Sequence, residues 1–60
     1  IHENCHISTA AIINGNSVIK KNTFVGSGAI ISNNVTVGAN SIVGAGVVIK
    51  KNVKDHSKIK

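Results

Sequence analysis

An aliphatic residue returns at every sixth position along nearly the whole chain, and no other feature restricts the possible folds as tightly. Counted from Ile1, the hexads open with Ile1, Ile7, Ile13, Ile19, Val25, Ile31, Val37, Val43, Ile49 and Asp55, without an insertion. Their fifth residues, Cys5, Ala11, Ser17, Thr23, Ala29, Val35, Ser41, Val47, Val53 and Ile59, are mostly small. Their fourth residues include Asn4, Asn16, Asn22, Gly28, Asn34, Asn40, Gly46 and Asn52. An α-helix needs a period near 3.6, which a frame of six does not supply. A strand turns successive side chains to opposite faces. The fifth residue and the next lead residue therefore point into a narrow interior, and the sixth residue between them points out. Asn and Gly tolerate a left-handed backbone best, so the fourth column marks a corner. Asn14-Gly15 alone would suggest a β-hairpin. Similar corner chemistry in hexad after hexad makes one hairpin an insufficient account.

Composition narrows the class further. Among 60 residues there is one Phe and one Cys, and no Pro, Met, Trp or Tyr. Ile and Val carry the interior and Asn and Gly the turns, a mixture that favours parallel strands joined by tight corners. A chain this short usually needs disulfides, a metal or oligomerisation. A single Cys forms no internal disulfide and fits a reducing compartment, so a cytoplasmic location is expected. No signal-peptide pattern and no apolar run of membrane-spanning length is present, so no membrane association is expected. The start at Ile1 rather than Met suggests a fragment of a longer protein. The net charge of +5 comes from seven Lys with no Arg. Without Arg or stacking aromatics, nucleic acid is not an expected partner.

Repeats of six with a leading Ile or Val resemble the left-handed parallel β-helix of hexapeptide acyltransferases. The resemblance implies an all-β fold in which three hexads make one triangular coil, giving about three coils over 1–54. It also implies the left hand; parallel crossovers are otherwise right-handed in ~98% of cases. Asp55 in a lead slot suggests that 55–60 is an exit segment. Stacking by eighteen residues groups the outward residues. His6, Phe24 and Ile42 share one face, Ile12, Ile30 and Val48 the second, and Val18, Thr36 and Lys54 the third. Two faces are largely apolar, and exposed apolar columns of this kind mark contact surfaces. A homo-oligomer follows, and the resemblance implies a homotrimer with His6, Ile12, Phe24, Ile30, Ile42 and Val48 at its interface. Both ends of such a solenoid expose an unpaired coil, so the isolated monomer is expected to be marginal.

One corner column is unusually smooth. Ser8-Thr9-Ala10, Gly26-Ser27-Gly28 and Gly44-Ala45-Gly46 follow one another at intervals of eighteen. A thin, extended ligand could lie against their backbone; equally, Gly simply suits tight corners. The run from His6 to Gly15, with Asn22-Thr23-Phe24-Val25-Gly26-Ser27-Gly28 and Val43-Gly44-Ala45-Gly46, is similar to the sialic acid O-acetyltransferase family. That family includes bacterial nucleotide-sugar N-acetyltransferases. The resemblance implies acetyl-CoA as co-substrate in a groove between subunits, contacted by His6, Gly26, Ser27, Gly28, Gly44, Ala45 and Gly46. His6 matches a histidine beside the thioester end, and Ser27 and Ala45 match positions whose backbone contacts the pantetheine arm. The family's basic histidine sits nine residues before the match to His6, upstream of Ile1, so this chain is expected to lack it. His2-Glu3-Asn4-Cys5 looks superficially similar, but His2 occupies the second slot of its hexad and the family's base the third. A solvated turn histidine is the plainer reading of His2, and an interface histidine that of His6.

The activity implied is acetyl transfer to an amino or hydroxyl group of a sugar or nucleotide sugar. The family's N-terminal sugar-binding domain is absent from this sequence. The rival reading is a structural β-helix that only trimerises its protein. An ice-binding solenoid would need an outward Thr ladder, and only Thr36 supplies one. The histidines occupy unlike slots, so no metal is expected. Cys5 points inward as an inert thiol, His56 lies in the exit segment, and Asn34-Val35-Thr36 is a sequon without a secretory context. Lys50, Lys51, Lys58 and Lys60 either form a solvated end or meet the phosphates of coenzyme A.

Overall fold

Two inward residues flanking one outward residue leave room for only a very short strand, and the computed structural model, which describes Ile1–Lys60, has nine of two residues each. They are β1 (His6–Ile7), β2 (Ile12–Ile13), β3 (Val18–Ile19), β4 (Phe24–Val25), β5 (Ile30–Ile31), β6 (Thr36–Val37), β7 (Ile42–Val43), β8 (Val48–Ile49) and β9 (Lys58–Ile59). They pair in parallel into three sheets, ordered β1-β4-β7-β9, β2-β5-β8 and β3-β6. The result is a left-handed parallel β-helix of about three turns without any helix. Consequently no helix is long and apolar enough to cross a membrane.

Only 6 of the 30 backbone–backbone hydrogen bonds lie within these strands. Bonds from coil to coil at the strand flanks therefore hold the stack. The Ser8 N–H donates to Val25 O at 2.9 Å, and the Gly26 N–H donates to Val43 O at 2.7 Å. The core is one column of lead and fifth residues: Ile19, Val25, Ala29, Ile31, Val35, Val37, Val43 and Ile49 are buried. Cys5, Ile7, Ala11 and Ile13 of the first coil are partly buried against it. Thr23 and Ser41 of the fifth column are buried, and their hydroxyls have partners. Thr23 Oγ1 donates to Gly38 O at 2.8 Å, and Ser41 Oγ donates to Lys54 O at 3.1 Å while accepting from the Ser57 N–H at 3.2 Å. These bonds tie one coil to the next from inside, and no buried side-chain polar atom lacks a partner.

The corner column has the backbone its residues imply. Asn4, Ala10, Asn16, Asn22, Asn34 and Asn40 have φ between 56° and 61°, and Gly28 and Gly46 have φ of 72°. Asn22→Gly is therefore expected to change stability by less than about 0.5 kcal/mol. Asn22→Val should lose roughly 1–2 kcal/mol, because a β-branched residue is strained at positive φ. Chemical denaturation of the two variants measures the difference.

The frame of six does not run unbroken to the end. Pairs before residue 50 are eighteen apart, as in Phe24 with Ile42 and Ile31 with Ile49. The last pairs are sixteen apart: Val37 with Val53, Ile42 with Lys58 and Val43 with Ile59. Two residues are thus missing from the corner after Ile49. Val53, not Asp55, takes the lead slot, and Ile59 takes the next. Asn52 loses the left-handed conformation of Asn16 and Asn34, while on the neighbouring corner His56, with φ of 61°, continues the left-handed column of Asn4, Asn22 and Asn40. An ionised Asp55 in the interior would be costly to desolvate; shortening the corner moves it to the outside, where its Oδ1 accepts from the Ala39 N–H at 2.9 Å. Residues 55–60, expected to leave the solenoid, instead contribute β9. The outward face expected to end in Lys54 ends in Asn52, whose Oδ1 accepts from the Thr36 N–H. Lys58 rather than Lys60 follows Ile42 on the first face.

Candidate functional site

The smooth corner lies where two apolar faces meet. Strands β1, β4 and β7 run into it, and β2, β5 and β8 run out of it. Their outward residues, His6, Phe24 and Ile42 on one side and Ile12, Ile30 and Val48 on the other, flank the corner in register. Ile12, Phe24, Ile42 and Val48 are 41–50% exposed, so large hydrocarbon surfaces face outward here. The His6 ring stacks on Phe24 with centroids 5.0 Å apart and planes within 4°.

The corner triplets stack directly. The Gly28 N–H donates to Thr9 O at 3.0 Å and the Gly46 N–H donates to Ser27 O at 2.9 Å. Thr9, Ser27 and Ala45, the middle residues, are exposed. The backbone N–H groups of Ser27 and Ala45 make no hydrogen bond within the chain. The equivalent middle positions on the other two corners are mixed: Glu3, Lys21, Asn33 and Lys51 carry longer side chains, and Gly15 and Ala39 do not, so only this corner is small in every coil. The smooth corner therefore offers unpaired backbone donors, rising one per coil, under side chains no larger than Thr9.

Each glycine here also has a purely structural duty. A Cβ on Gly26 would lie 2.6 Å from Ala45 N and 2.8 Å from Gly44 C. One on Gly44 would lie 3.0 Å from Ile59 O. Gly28 and Gly46 sit in open space but at positive φ. Coil stacking accounts for Gly26 and Gly44 and the left-handed backbone for Gly28 and Gly46, so the small middle residues and the flanking apolar columns are what distinguish this edge.

The remaining candidates are scattered. His2 is exposed on a different corner, stacked below Lys20-Lys21, and its N–H donates to Ile19 O at 2.8 Å. His56 is on that same corner in the last coil. Cys5 is half-buried, with Sγ 3.1 Å from Lys20 O. No three His, Cys, Asp or Glu side chains converge as a metal site would require. One further feature escaped the strict frame: an open cavity of about 360 Å³ at the C-terminal end, lined by Val48, Ile49, Lys50, Lys51, Asn52, Val53 and Ile59. Its signal in the sequence is the six-residue spacing of Val53 and Ile59 set against only four between Ile49 and Val53.

A family model described as bacterial transferase hexapeptide, with six repeats, matches residues 16–51, more than half of the chain. This chain belongs to the hexapeptide-repeat transferase family. No curated protein and no solved structure matches it. Membership agrees with the three-sided stack and with the lead, fifth and corner columns. Transferases of this family and structural β-helices share those columns, so the repeat itself does not select between them.

Proposed function

We propose that this chain is the acyl-donor-binding, trimer-forming part of an acetyl-CoA-dependent acetyltransferase acting on an amino or hydroxyl group of a sugar or nucleotide sugar, in the cytoplasm. The observation that carries the reading is the edge formed by Thr9, Ser27 and Ala45. Free backbone N–H groups at Ser27 and Ala45 suit the amide carbonyls of a pantetheine arm, and the absence of long side chains leaves the arm room. Apolar columns on both sides suit burial against neighbouring subunits, which would close the edge into a groove. His6, held flat on Phe24 beside the first triplet, lies at one end of that groove. The sugar-binding domain and the histidine that takes a proton from the acceptor as it attacks the thioester belong to sequence outside these 60 residues.

Ala45→Trp tests the groove. Ala45 is exposed, so the indole should leave the solenoid folded. Affinity for coenzyme A, by isothermal titration of the assembled protein, should fall at least tenfold, about 1.4 kcal/mol. Unchanged affinity would remove the acyl donor from this edge. The structural role of all four glycines favours one second reading, a β-helix that only trimerises. Failure of the intact trimer to bind coenzyme A would select it.

A further inference from the structure

Of the eight asparagines, a single one is followed by an exposed residue whose backbone N–H is free. After six of them the next residue, such as Thr23 after Asn22 or Val35 after Asn34, turns inward and is buried or half-buried. Asn33 precedes Asn34, whose N–H donates to Gly15 O at 3.1 Å. The eighth, Asn14, precedes Gly15, which is exposed, carries no side chain and donates its N–H to nothing in the chain. Asn33, the matching residue one coil up with coils stacked on both sides, has the same free N–H, so the opening belongs to the corner itself. Asn14 is also a staple between coils. Its backbone N–H and its Nδ2 both donate to Ile31 O, at 3.0 and 2.9 Å.

We propose that Asn14-Gly15 is a self-modification site, at which the asparagine deamidates through a succinimide and unfastens its corner from the coil above. The Gly15 nitrogen gives its proton to hydroxide and bonds to Asn14 Cγ; glycine, with no Cβ beside that nitrogen, permits the close approach. The Cγ–Nδ2 bond breaks, and Nδ2 takes a proton from water and leaves as ammonia. Water then opens the cyclic imide at either carbonyl, giving aspartate or isoaspartate at residue 14. Water is the only co-reactant, and nothing is oxidised or reduced. Both products undo the staple. A carboxylate only accepts hydrogen bonds, so it meets Ile31 O with no proton to share. Isoaspartate also adds a carbon to the main chain. That carbon falls between the Asn14 N–H, which donates to Ile31 O, and Gly15 O, which accepts from the Asn34 N–H. The two bonds then cannot both keep their register. Asn14 and Gly15 lie on a different corner from the acyl-donor edge and outside the proposed subunit contact, so the inference stands without that reading.

The test ages the assembled protein in warm, mildly alkaline buffer and maps it by mass spectrometry, with electron-transfer fragmentation to separate isoaspartate from aspartate. Residue 14 should be modified ahead of every other asparagine. Its rate should rise with pH, because the Gly15 nitrogen must lose a proton before it attacks. Gly15→Ala places a methyl group beside that nitrogen and should slow the reaction about tenfold. The aged protein should melt below the fresh protein, and fresh Asn14→Asp protein should also melt below it. Gly15→Ala protein aged for the same time should keep its midpoint. Modification that begins at another asparagine, that Gly15→Ala does not slow, or that occurs only in urea would overturn the proposal. So would an unmodified residue 14, or an isoaspartate-bearing protein whose melting midpoint is unchanged.

Discussion

Gly26→Ala should lose about 3 kcal/mol, enough to unfold a chain this small, although it adds a single methyl group. The added Cβ would lie 2.6 Å from Ala45 N, 2.8 Å from Gly44 C and 2.9 Å from Ala45 Cα. All three are backbone atoms of the coil above, so no side chain can rotate aside. That backbone is fixed by the bond from the Gly46 N–H to Ser27 O and by the one from the Gly26 N–H to Val43 O. Relief requires the coils to separate, and separation breaks the ladder. Two controls isolate the cause. At Gly15 a Cβ meets nothing within 4 Å and φ is not positive, so Gly15→Ala should be neutral or stabilise by about 0.5 kcal/mol. At Gly28 the space is open but φ is 72°, so Gly28→Ala should lose roughly 1–2 kcal/mol from backbone strain alone. Thermal melts followed by circular dichroism should rank the three in that order. A Gly26→Ala protein that melts with Gly15→Ala would show that the corners do not stack in this register.

These glycines also mark where sequence stops being informative. The lead column and the Asn/Gly column were legible because each reports one local demand, an interior side chain or a left-handed φ. Gly26 and Gly28 look alike in the sequence, yet one is held by a neighbouring coil and the other by its own backbone. Close approach is a property of two segments eighteen residues apart, and no single segment records it. The shortened corner was hidden for a related reason. Ile49-Lys50-Lys51-Asn52 repeats Ile19-Lys20-Lys21-Asn22 letter for letter. Asn22 is left-handed at 58°, whereas Asn52 is not. What separates them is the residue that must fill the next interior slot: after Asn22 the frame delivers Val25, and after Asn52 it would deliver Asp55. Placing Val53 instead of a carboxylate in the interior outweighs the local preference of an Ile-Lys-Lys-Asn corner, and Asn52 gives up the left-handed conformation that Asn16 and Asn34 keep. The proposed acyl-donor edge was legible as a run of small residues, and the apolar columns beside it as a stacking of outward residues by eighteen. The structure adds the unpaired N–H groups of Ser27 and Ala45.

Inner and outer columns should respond oppositely to the same truncation, and the contrast separates the fold from the assembly. Ile31 is fully buried, between Ile13 below and Ile49 above in its sheet. Ile31→Ala should lose about 2–5 kcal/mol, the range for a large aliphatic side chain removed from a packed interior. The loss should lie toward the upper end, because a three-sided coil pinned by ladder bonds on both sides cannot collapse onto the space. Ile42 also lies in a central strand, but points out and is 41% exposed. In the free chain Ile42→Ala should change stability by less than about 1 kcal/mol. In the proposed trimer the same side chain is part of a subunit contact. There its removal should raise the dissociation constant of the assembly, measured by analytical ultracentrifugation, while the unfolding midpoint of the dissociated chain stays in place. Ile31→Ala should do the reverse, lowering the midpoint at every protein concentration. An Ile42→Ala variant that leaves both quantities unchanged would free the face of β1, β4 and β7 from any role in assembly. The acyl-donor edge would then lose one of the two walls that make it a groove.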